Sequence, residues 1–564
     1  MKKLINDVSS VVADALDGTV RSGDGLRLIE GTTIVVRSDY EALRETGEVA
    51  LISGGGSGHE PAHAGYVGAG MLTAAVAGDV FASPSTDAVL TAIRTVTGPA
   101  GALLIVKNYT GDRLNFGLAA EIARAEGLDV AVMIVDEDAA LGSAEKTAGR
   151  RGTAGTVLIH KIAGEAAARG LPLAEVKALA EAAVAETASM SVALSPCIVP
   201  AAGSPNFELG YDEIELGLGI HGEAGSDRVP LRPAAELAET LIGRIAEDRG
   251  FTSGDVVGLL VNNLGATPPM ELSIMARDAI RACEARGLTV RRIWCGTFLT
   301  AIDMAGVSLS LMKLDDARIA AFDAPSAAPA WVAPSQGAHD ASTVPAPDSP
   351  PPAFERGAGN LEMLAAVVAA ARAIIEAEPE LTRLDQITGD GDIGRSLAGG
   401  AEAILADEPT LSGLDGADFW RRIAQIIRAA TGGTSGPLYA ILALGASHDL
   451  SAERASGEAL SGAFAAGVRA VTELGGAAPG DRTMVDALLP ASDAMAKAGS
   501  PAERLARAAH AARAGAEATA DMHPRRGRSS YIGDRVLGHP DPGAVAVAIW
   551  LEAAAGVLTN RAKD

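Results

Sequence analysis

Aromatic residues are scarce in this chain: they make up 3% of its 564 residues, against 48% for all apolar types together. Ala, Val, Leu and Ile must therefore fill the interior, and a chain of 564 residues is too long for one core, so two or three domains are expected. Cysteine is nearly missing. Cys197, Cys283 and Cys295 stand far apart with no C-x-x-C pair, which argues against a structural zinc site and fits a reducing compartment. Dense Lys/Arg blocks are lacking too, and the formal charge is −24, so generic nucleic-acid binding is not expected. No uninterrupted apolar run approaches the roughly 18 residues that cross a bilayer. Asp7 and Asp14 interrupt any apolar leader behind the N-terminal lysines. A soluble, cytoplasmic protein without a membrane partner is the expectation. A phosphate loop of the type G-x-x-x-x-G-K-[ST] is also missing, so any ATP must be held another way.

What is present divides the chain in two. Asp323–Pro352 is rich in Pro, Ala and Ser and has no apolar periodicity, which predicts a semi-extended linker that cannot bury enough surface to fold. Trp331 is its one strong anchor and should dock on the preceding domain. The expected boundaries are residues 1–332, a flexible linker at 333–352, and residues 353–564. Ahead of the linker, short aliphatic runs at Val49–Ser53, Gly101–Lys107, Val130–Val135 and Val256–Asn262 alternate with helical stretches such as Phe116–Ala125 and Met270–Arg286. This pattern predicts an α/β domain with buried strands. Behind it, Leu361–Glu378, Asp418–Ala430, Leu460–Leu474, Pro501–Ala520 and Ala544–Ala555 have helical spacing and almost no strand signal, which predicts an all-α domain.

Four motifs carry chemistry. Ser53–Pro61 reads SGGGSGHEP, and its glycines let backbone N–H groups approach a ligand, with a helix expected to follow. The same stretch contains HEPAH, a formal zincin pattern, but Pro61 inside it denies both histidines a common helix. Lys107–Asp112, KNYTGD, places polar side chains at the end of a buried strand, where open sheets bind ligands. Gly217–Gly222, GLGIHG, matches a dinucleotide fingerprint in letters only, because the residues after it are turn-like. Its His221 is read as a lone histidine at a strand end, with flanking glycines that leave room for a substrate and an imidazole able to attack a ketone. In the second half, Asp385, Asp390 and Asp392 place three carboxylates within eight residues, a hard oxygen cup suited to Mg²⁺. Three loops, Gly432–Gly436, Gly480–Met484 and Gly538–Gly543, offer backbone N–H groups to phosphates, and Arg526 and Arg528 are cations for charge that develops on transfer.

Read together, GGGSGHEPAHAGYVG, GDVFASPS, KNYTGDRLNFG, GRRGTAGT and GLGIHGEAG resemble the K domain of dihydroxyacetone kinases. LDQITGDGDIG, GGTSGPLY, GDRTMVDAL and GRSSYIGDRVLGHPDPGA resemble the L domain of the same family. The resemblance spans nearly the whole chain outside the linker and is closest to the fused, single-chain, ATP-dependent form. It implies an α/β K domain of two subdomains and an L domain built as a barrel of antiparallel helices. It implies that His221 binds the ketone as a hemiaminal through Nε2. Gly56, Ser57, Gly58, His59, Lys107 and Asp112 would hold the substrate, with His59 and Asp112 as acid/base groups. Asp385, Asp390 and Asp392 would bind two Mg²⁺ ions. ATP would be held by Ile393, Gly394, Arg395, Ser396, Thr434, Ser435, Gly475, Met484, Arg526, Asp541, Pro542 and Gly543. Ile393 stands where relatives often carry Thr, Cys or His, so one polar nucleotide contact is lost there. The resemblance further implies a homodimer in which one subunit's nucleotide domain can serve the other's substrate domain. The substrate class is a short ketose, dihydroxyacetone or a four-carbon erythrulose; splitting of FAD to cyclic FMN and a non-catalytic sensor remain alternatives.

Overall fold

The computed structural model describes residues 2–141, 149–205, 207–336, 344–347, 354, 356–450 and 457–561. The chain forms two compact units, Met1–Pro345 and Ala346–Asp564. Much of the expected linker, residues 337–343 and 348–352, lies outside the described residues.

The first unit holds two six-stranded sheets. Its strands are β1 (Leu26–Leu28), β2 (Ile34–Arg37), β3 (Ala50–Ser57), β4 (Ala74–Val80), β5 (Ala102–Lys107), β6 (Val130–Val135), β7 (Thr187–Ala193), β8 (Glu213–Leu216), β9 (Asp227–Pro230), β10 (Val256–Asn263), β11 (Thr289–Gly296) and β12 (Gly306–Lys313). The first sheet has the order β1-β2-β4-β3-β5-β6, and its β4, β3, β5 and β6 run parallel. Parallel strands need helical crossovers on the faces, so their residues are buried on both sides and read as unbroken aliphatic runs; β3 and β5 are buried along their whole length. The second sheet, β11-β10-β12-β7-β8-β9, is antiparallel apart from the β10–β11 pair. Trp331 packs its ring 5.7 Å from Trp294 and 6.3 Å from Phe322, which anchors the chain on this unit before the linker.

Two local expectations need correction. The chain does not turn into a helix after SGGGSGHEP. β3 runs on through Gly54, Gly55 and Gly56 to Ser57, and only a 3₁₀ turn, Ala64–Tyr66, follows. Pro61 supplies no N–H and disfavours helical backbone in the residue before it, so no helix can run through it from His59. His221 is also not at a strand end. β8 closes at Leu216, and His221 sits in the turn that leads to β9.

The second unit is all helical. Leu361–Glu376 packs on Ile393–Ala406, which packs on Gly416–Ala430; the series continues through Ser435–Asp449, Gly457–Gly475, Val485–Met495 and Pro501–Ala518 to Pro542–Arg561. Pro542–Arg561 then packs back on Leu361–Glu376, closing a ring. The ring surrounds a cavity of about 380 Å³ lined mainly by apolar side chains such as Ile374, Leu397, Ile423, Leu442, Phe464 and Leu551. Within the closing helix, Pro542–Thr559 is long and apolar enough to cross a membrane, although Glu552 interrupts its apolar run. In this fold half of it is buried, and Ala544, Val545, Ala546, Val547, Ala548 and Leu551 belong to the helical core.

Candidate active site

In the first unit, the ends of β3 and β5 bring glycines against charged groups. A side chain built at Gly55 would meet Lys107 Nζ at 3.3 Å and Asp112 Oδ2 at 3.4 Å, so these three positions converge. Lys107 ends β5 and is fully buried, and its Nζ has no hydrogen-bond partner among the described residues. Burial lowers its pKa, while Asp112, Glu223 and Glu137 oppose that shift. Asp112 lies in the first turn of the helix Thr110–Ala125 and is itself buried. Gly56 leaves no space for a side chain, since a Cβ there would lie 2.7 Å from the Ala82 nitrogen. The Ser57 hydroxyl is turned away from this cluster's charges and donates to the Gly78 carbonyl at 2.8 Å. Gly58 adopts φ +98°, a conformation open to glycine, and its N–H donates to the Glu60 carboxylate.

Beside this cluster two histidines meet. His59 Nε2 lies 3.0 Å from His221 Nε2. The other nitrogen of His59 faces the Thr300 carbonyl at 2.7 Å, and a carbonyl only accepts, so His59 Nδ1 carries a proton. His221 Nδ1 faces the Glu223 carboxylate at 2.7 Å and carries a proton for the same reason. Two bare Nε2 lone pairs would repel at this distance, so a hydrogen bond between them requires one Nε2 to donate. Burial, then Lys107 and His221, push the His59 pKa well below 6.5. Burial raises the Glu223 carboxyl, but the His221 hydrogen bond and charge outweigh it and bring the pKa down to about 2. Phe81 and Tyr109 complete the surround, their rings 5.1 Å and 4.7 Å from the His221 ring. The zincin letters dissolve here: His63 turns to His160, 3.0 Å away, and shares no site with His59. The dinucleotide reading fails as well, because β9 rather than a helix follows Gly217–Gly222.

In the second unit, Asp385 is in the last turn of the helix Glu378–Thr388, and Asp390 and Asp392 are in the loop before Ile393–Ala406. One carboxylate oxygen of each lies within 4.8 Å of the others. Asp385 also shapes the loop, since its Oδ2 accepts from the backbone N–H groups of Asp392 at 2.9 Å and Ile393 at 3.2 Å. Arg528 pairs with Asp390. Partial burial, then Asp390 and Asp385, raise the Asp392 pKa, the signature of anionic charge short of compensation. A three-carboxylate donor set of this size fits a hard divalent cation such as Mg²⁺.

Of the loops expected to meet a nucleotide, Gly432–Gly436 lies against this cup. A Cβ on Gly433 would stand 3.7 Å from Asp392 Oδ2, and one on Gly432 3.7 Å from Ser396 Oγ, so the loop leading to Thr434 and Ser435 lies beside the cup. Gly475 abuts Leu438 of the helix that Ser435 begins, and the next residue, Gly476, faces Arg526. Arg526 lies 3.8 Å from Asp481. Met484 approaches Gly543, and Asp541 caps the helix opened by Pro542, accepting from the Ala544 N–H at 2.8 Å. Burial lifts the Asp541 carboxyl to about 6. Two features differ from the expectation. In GDRTM, the N–H groups of Gly480 and Thr483 are already taken by Asp486, at 2.5 and 2.8 Å, so this loop is folded on its own carboxylate. Gly394 faces the neighbouring helix, because a Cβ there would collide with Thr382 Oγ1 at 2.2 Å. Arg395 is exposed, and Ile393 is partly buried against the helical core. Reading by motif passed over Glu223, Tyr109, Phe81 and Arg151, although all but Phe81's role had a cue in being charged or polar within GLGIHGEAG, KNYTGD and GRRGTAGT.

Comparison with known proteins gives this pairing of units its class. The first unit matches the Dak1 domain over residues 17–330, and the second the DAK2 domain over residues 387–556. A putative 3,4-dihydroxy-2-butanone kinase of Solanum lycopersicum is 44% identical, covering 98% of each chain. The triokinase/FMN cyclase of Rattus norvegicus is 42% identical, covering 100% of this chain and 99% of its own. The crystal structure of the dihydroxyacetone kinase from C. freundii in complex with AMP-PNP and Mg²⁺ is 36% identical with a TM-score of 0.67, over 98% of this chain and 99% of that one. The chain belongs to the dihydroxyacetone kinase family.

Proposed function

We propose that this protein transfers the γ-phosphoryl group of ATP to the terminal hydroxyl of a short ketose, with dihydroxyacetone as substrate and dihydroxyacetone phosphate as product. The observation that carries the reading is the presence on one chain of both chemical halves. One is a histidine ringed by glycines and a buried lysine–aspartate pair; the other is a carboxylate cup flanked by helix N-termini. A sensor needs only the first. His221 Nε2 attacks the ketone carbon and fixes the substrate, while Lys107 and the backbone at Gly56 to Gly58 bind its oxygens. His59 or Asp112 accepts the proton of the hydroxyl that is phosphorylated. Asp385, Asp390 and Asp392 would hold Mg²⁺, which offsets charge on the phosphates and lets them lie beside carboxylates. Thr434, Ser435, Gly475, Met484, Arg526 and the Asp541–Gly543 turn would hold the nucleotide. Ile393 to Ser396 would lie along it, with Gly394 contributing backbone only. Positioning and electrostatics supply most of the rate in phosphoryl transfer.

A coupled ADP-release assay over dihydroxyacetone, D- and L-erythrulose, glyceraldehyde and FAD tests the reading. Turnover of dihydroxyacetone supports it; binding without turnover of any compound would make the chain a sensor. The tomato relative's name favours a four-carbon ketose as the second substrate to try, and the rat relative's name favours cyclic FMN formation from FAD. We also propose a cytoplasmic homodimer, consistent with three cysteines that form no disulfide.

A further inference from the structure

The turn that carries His221 is held by Glu223 and Arg151. Glu223 grips His221 twice: Oε1 accepts from Nδ1 at 2.7 Å, and Oε2 accepts from the backbone N–H at 3.0 Å. The turn has been shaped around that carboxylate, for a side chain on Gly219 would strike Glu223 Oε2 at 2.0 Å and Arg151 Nη1 at 2.6 Å. Arg151 is 5% exposed and spans the same turn. It donates from Nη2 to the Gly217 carbonyl at 2.6 Å and from Nη1 to the Glu223 carbonyl at 3.4 Å. Asp138, equally buried, fixes the guanidinium by accepting from Nε at 2.6 Å, and Asp138 is itself held by the Ala140 N–H.

We propose that Glu223 and Arg151 are positioning residues for His221: Glu223 keeps the imidazole proton on Nδ1 and faces the cation formed at ketone capture, and Arg151 holds the turn that presents both. The inference rests on the reading that His221 captures a ketone. Its chemistry balances. The Nε2 lone pair forms the bond to the carbonyl carbon, and the C=O π pair moves to oxygen. That oxygen takes up one proton from solvent, so the neutral imidazole, the ketone and that proton together give the adduct. The product is an alkylated imidazolium with its N–H on Nδ1, against the Glu223 carboxylate. A carboxylate beside a histidine acts in this way in Ser-His-Asp hydrolases, where replacing it by an amide permits the wrong tautomer. Glu223→Gln is the equivalent change here, since its amide can donate to Nδ1.

The test uses the full-length chain and three readouts: calorimetric binding of dihydroxyacetone, calorimetric binding of Mg²⁺ with AMP-PNP, and ¹⁵N imidazole shifts of His221. Glu223→Gln should weaken dihydroxyacetone binding by about 10- to 100-fold, as loss of a partner that orients a ligating histidine does. It should leave AMP-PNP binding within twofold and move the His221 proton from Nδ1 towards Nε2. Arg151→Lys keeps the charge but loses the two-point grip, and should weaken ketone binding by about tenfold with the same selectivity. Unchanged ketone affinity and tautomer in Glu223→Gln would overturn the proposal, as would equal losses for ketone and nucleotide. If Glu223→Gln does not fold, Arg151→Lys decides on the same two affinities. Wild-type binding of dihydroxyacetone without turnover would sink the kinase reading and leave this inference standing or falling on the affinity ratios.

Discussion

At the scale of single residues, the three aspartates of the cup differ in what they do for the fold. Asp390 offers its carboxylate to solvent and to Arg528, whereas Asp385 accepts two backbone N–H groups that shape the loop. Replacing Asp390 by Ala should therefore abolish Mg²⁺-dependent turnover with little effect on melting. Asp385→Ala should lose activity and also cost about 1–3 kcal/mol by stranding those donors; comparing kcat and Tm for the two variants separates the cases, and equal melting points would refute the division. His63 and His160 give a pH dependence. Burial holds the His63 pKa well below 6.5, and that of His160 at about 3. The unfolded chain binds protons on them near pH 6.5 while the folded chain does not. The stability they confer on the neutral form is present above that pH and is lost as pH falls from about 6.5 towards 3, by up to ~1.4 kcal/mol per histidine per pH unit. Denaturant midpoints for the first unit should thus drop between pH 7.5 and pH 5.5, and His160→Gln should flatten the slope; a wild-type midpoint flat across that range would rule the effect out.

At the scale of elements, glycines do more packing than the motifs let one see. Gly394 belongs to the stretch that the family resemblance assigns to the nucleotide, yet its Cα faces Thr382 and the Glu378 carbonyl across a helix contact. Gly394→Ala should cost about 1–3 kcal/mol of helical-unit stability by forcing the two helices apart; retention of the wild-type midpoint in thermal denaturation would show that the helices can yield. The same example marks where the sequence stops being readable. Aliphatic runs told the strands, because parallel strands buried on both faces have no polar side to break the pattern, and β5 and β6 match in place. Helical spacing placed Gly416–Ala430 and Pro501–Ala518 to within two residues. The cup was legible from spacing because carboxylates so close together demand a cation. Glu223 was not legible, because its role depends on which nitrogen it faces, and that is a property of the folded turn. Nor was the extension of β3 through Ser57, since three glycines read as a loop and only pairing with β4 makes them a strand.

At the scale of the whole molecule, the division into two units predicts two separable responses to ligand. Ligands stabilise the unit that binds them, by RT ln(1 + [L]/Kd), or about 2.7 kcal/mol at a hundredfold excess over Kd. In calorimetry of the intact chain, dihydroxyacetone should shift the transition of the α/β unit, and Mg²⁺ with AMP-PNP that of the helical unit. A single transition moved equally by both would contradict independent unfolding.

The helix Pro542–Arg561 closes the ring of the second unit by packing on Leu361–Glu376, although the whole of the ring separates them in sequence. During synthesis this helix emerges after every other member of the ring. Until it emerges, Leu361–Glu376 and Pro501–Ala518 wait with an uncovered seam, the kind of exposed apolar surface that draws chaperones and seeds aggregation. Frameshifts and stop codons anywhere upstream of Pro542 should thus remove more than a tail: they leave the earlier helices without the member that completes their shared interior.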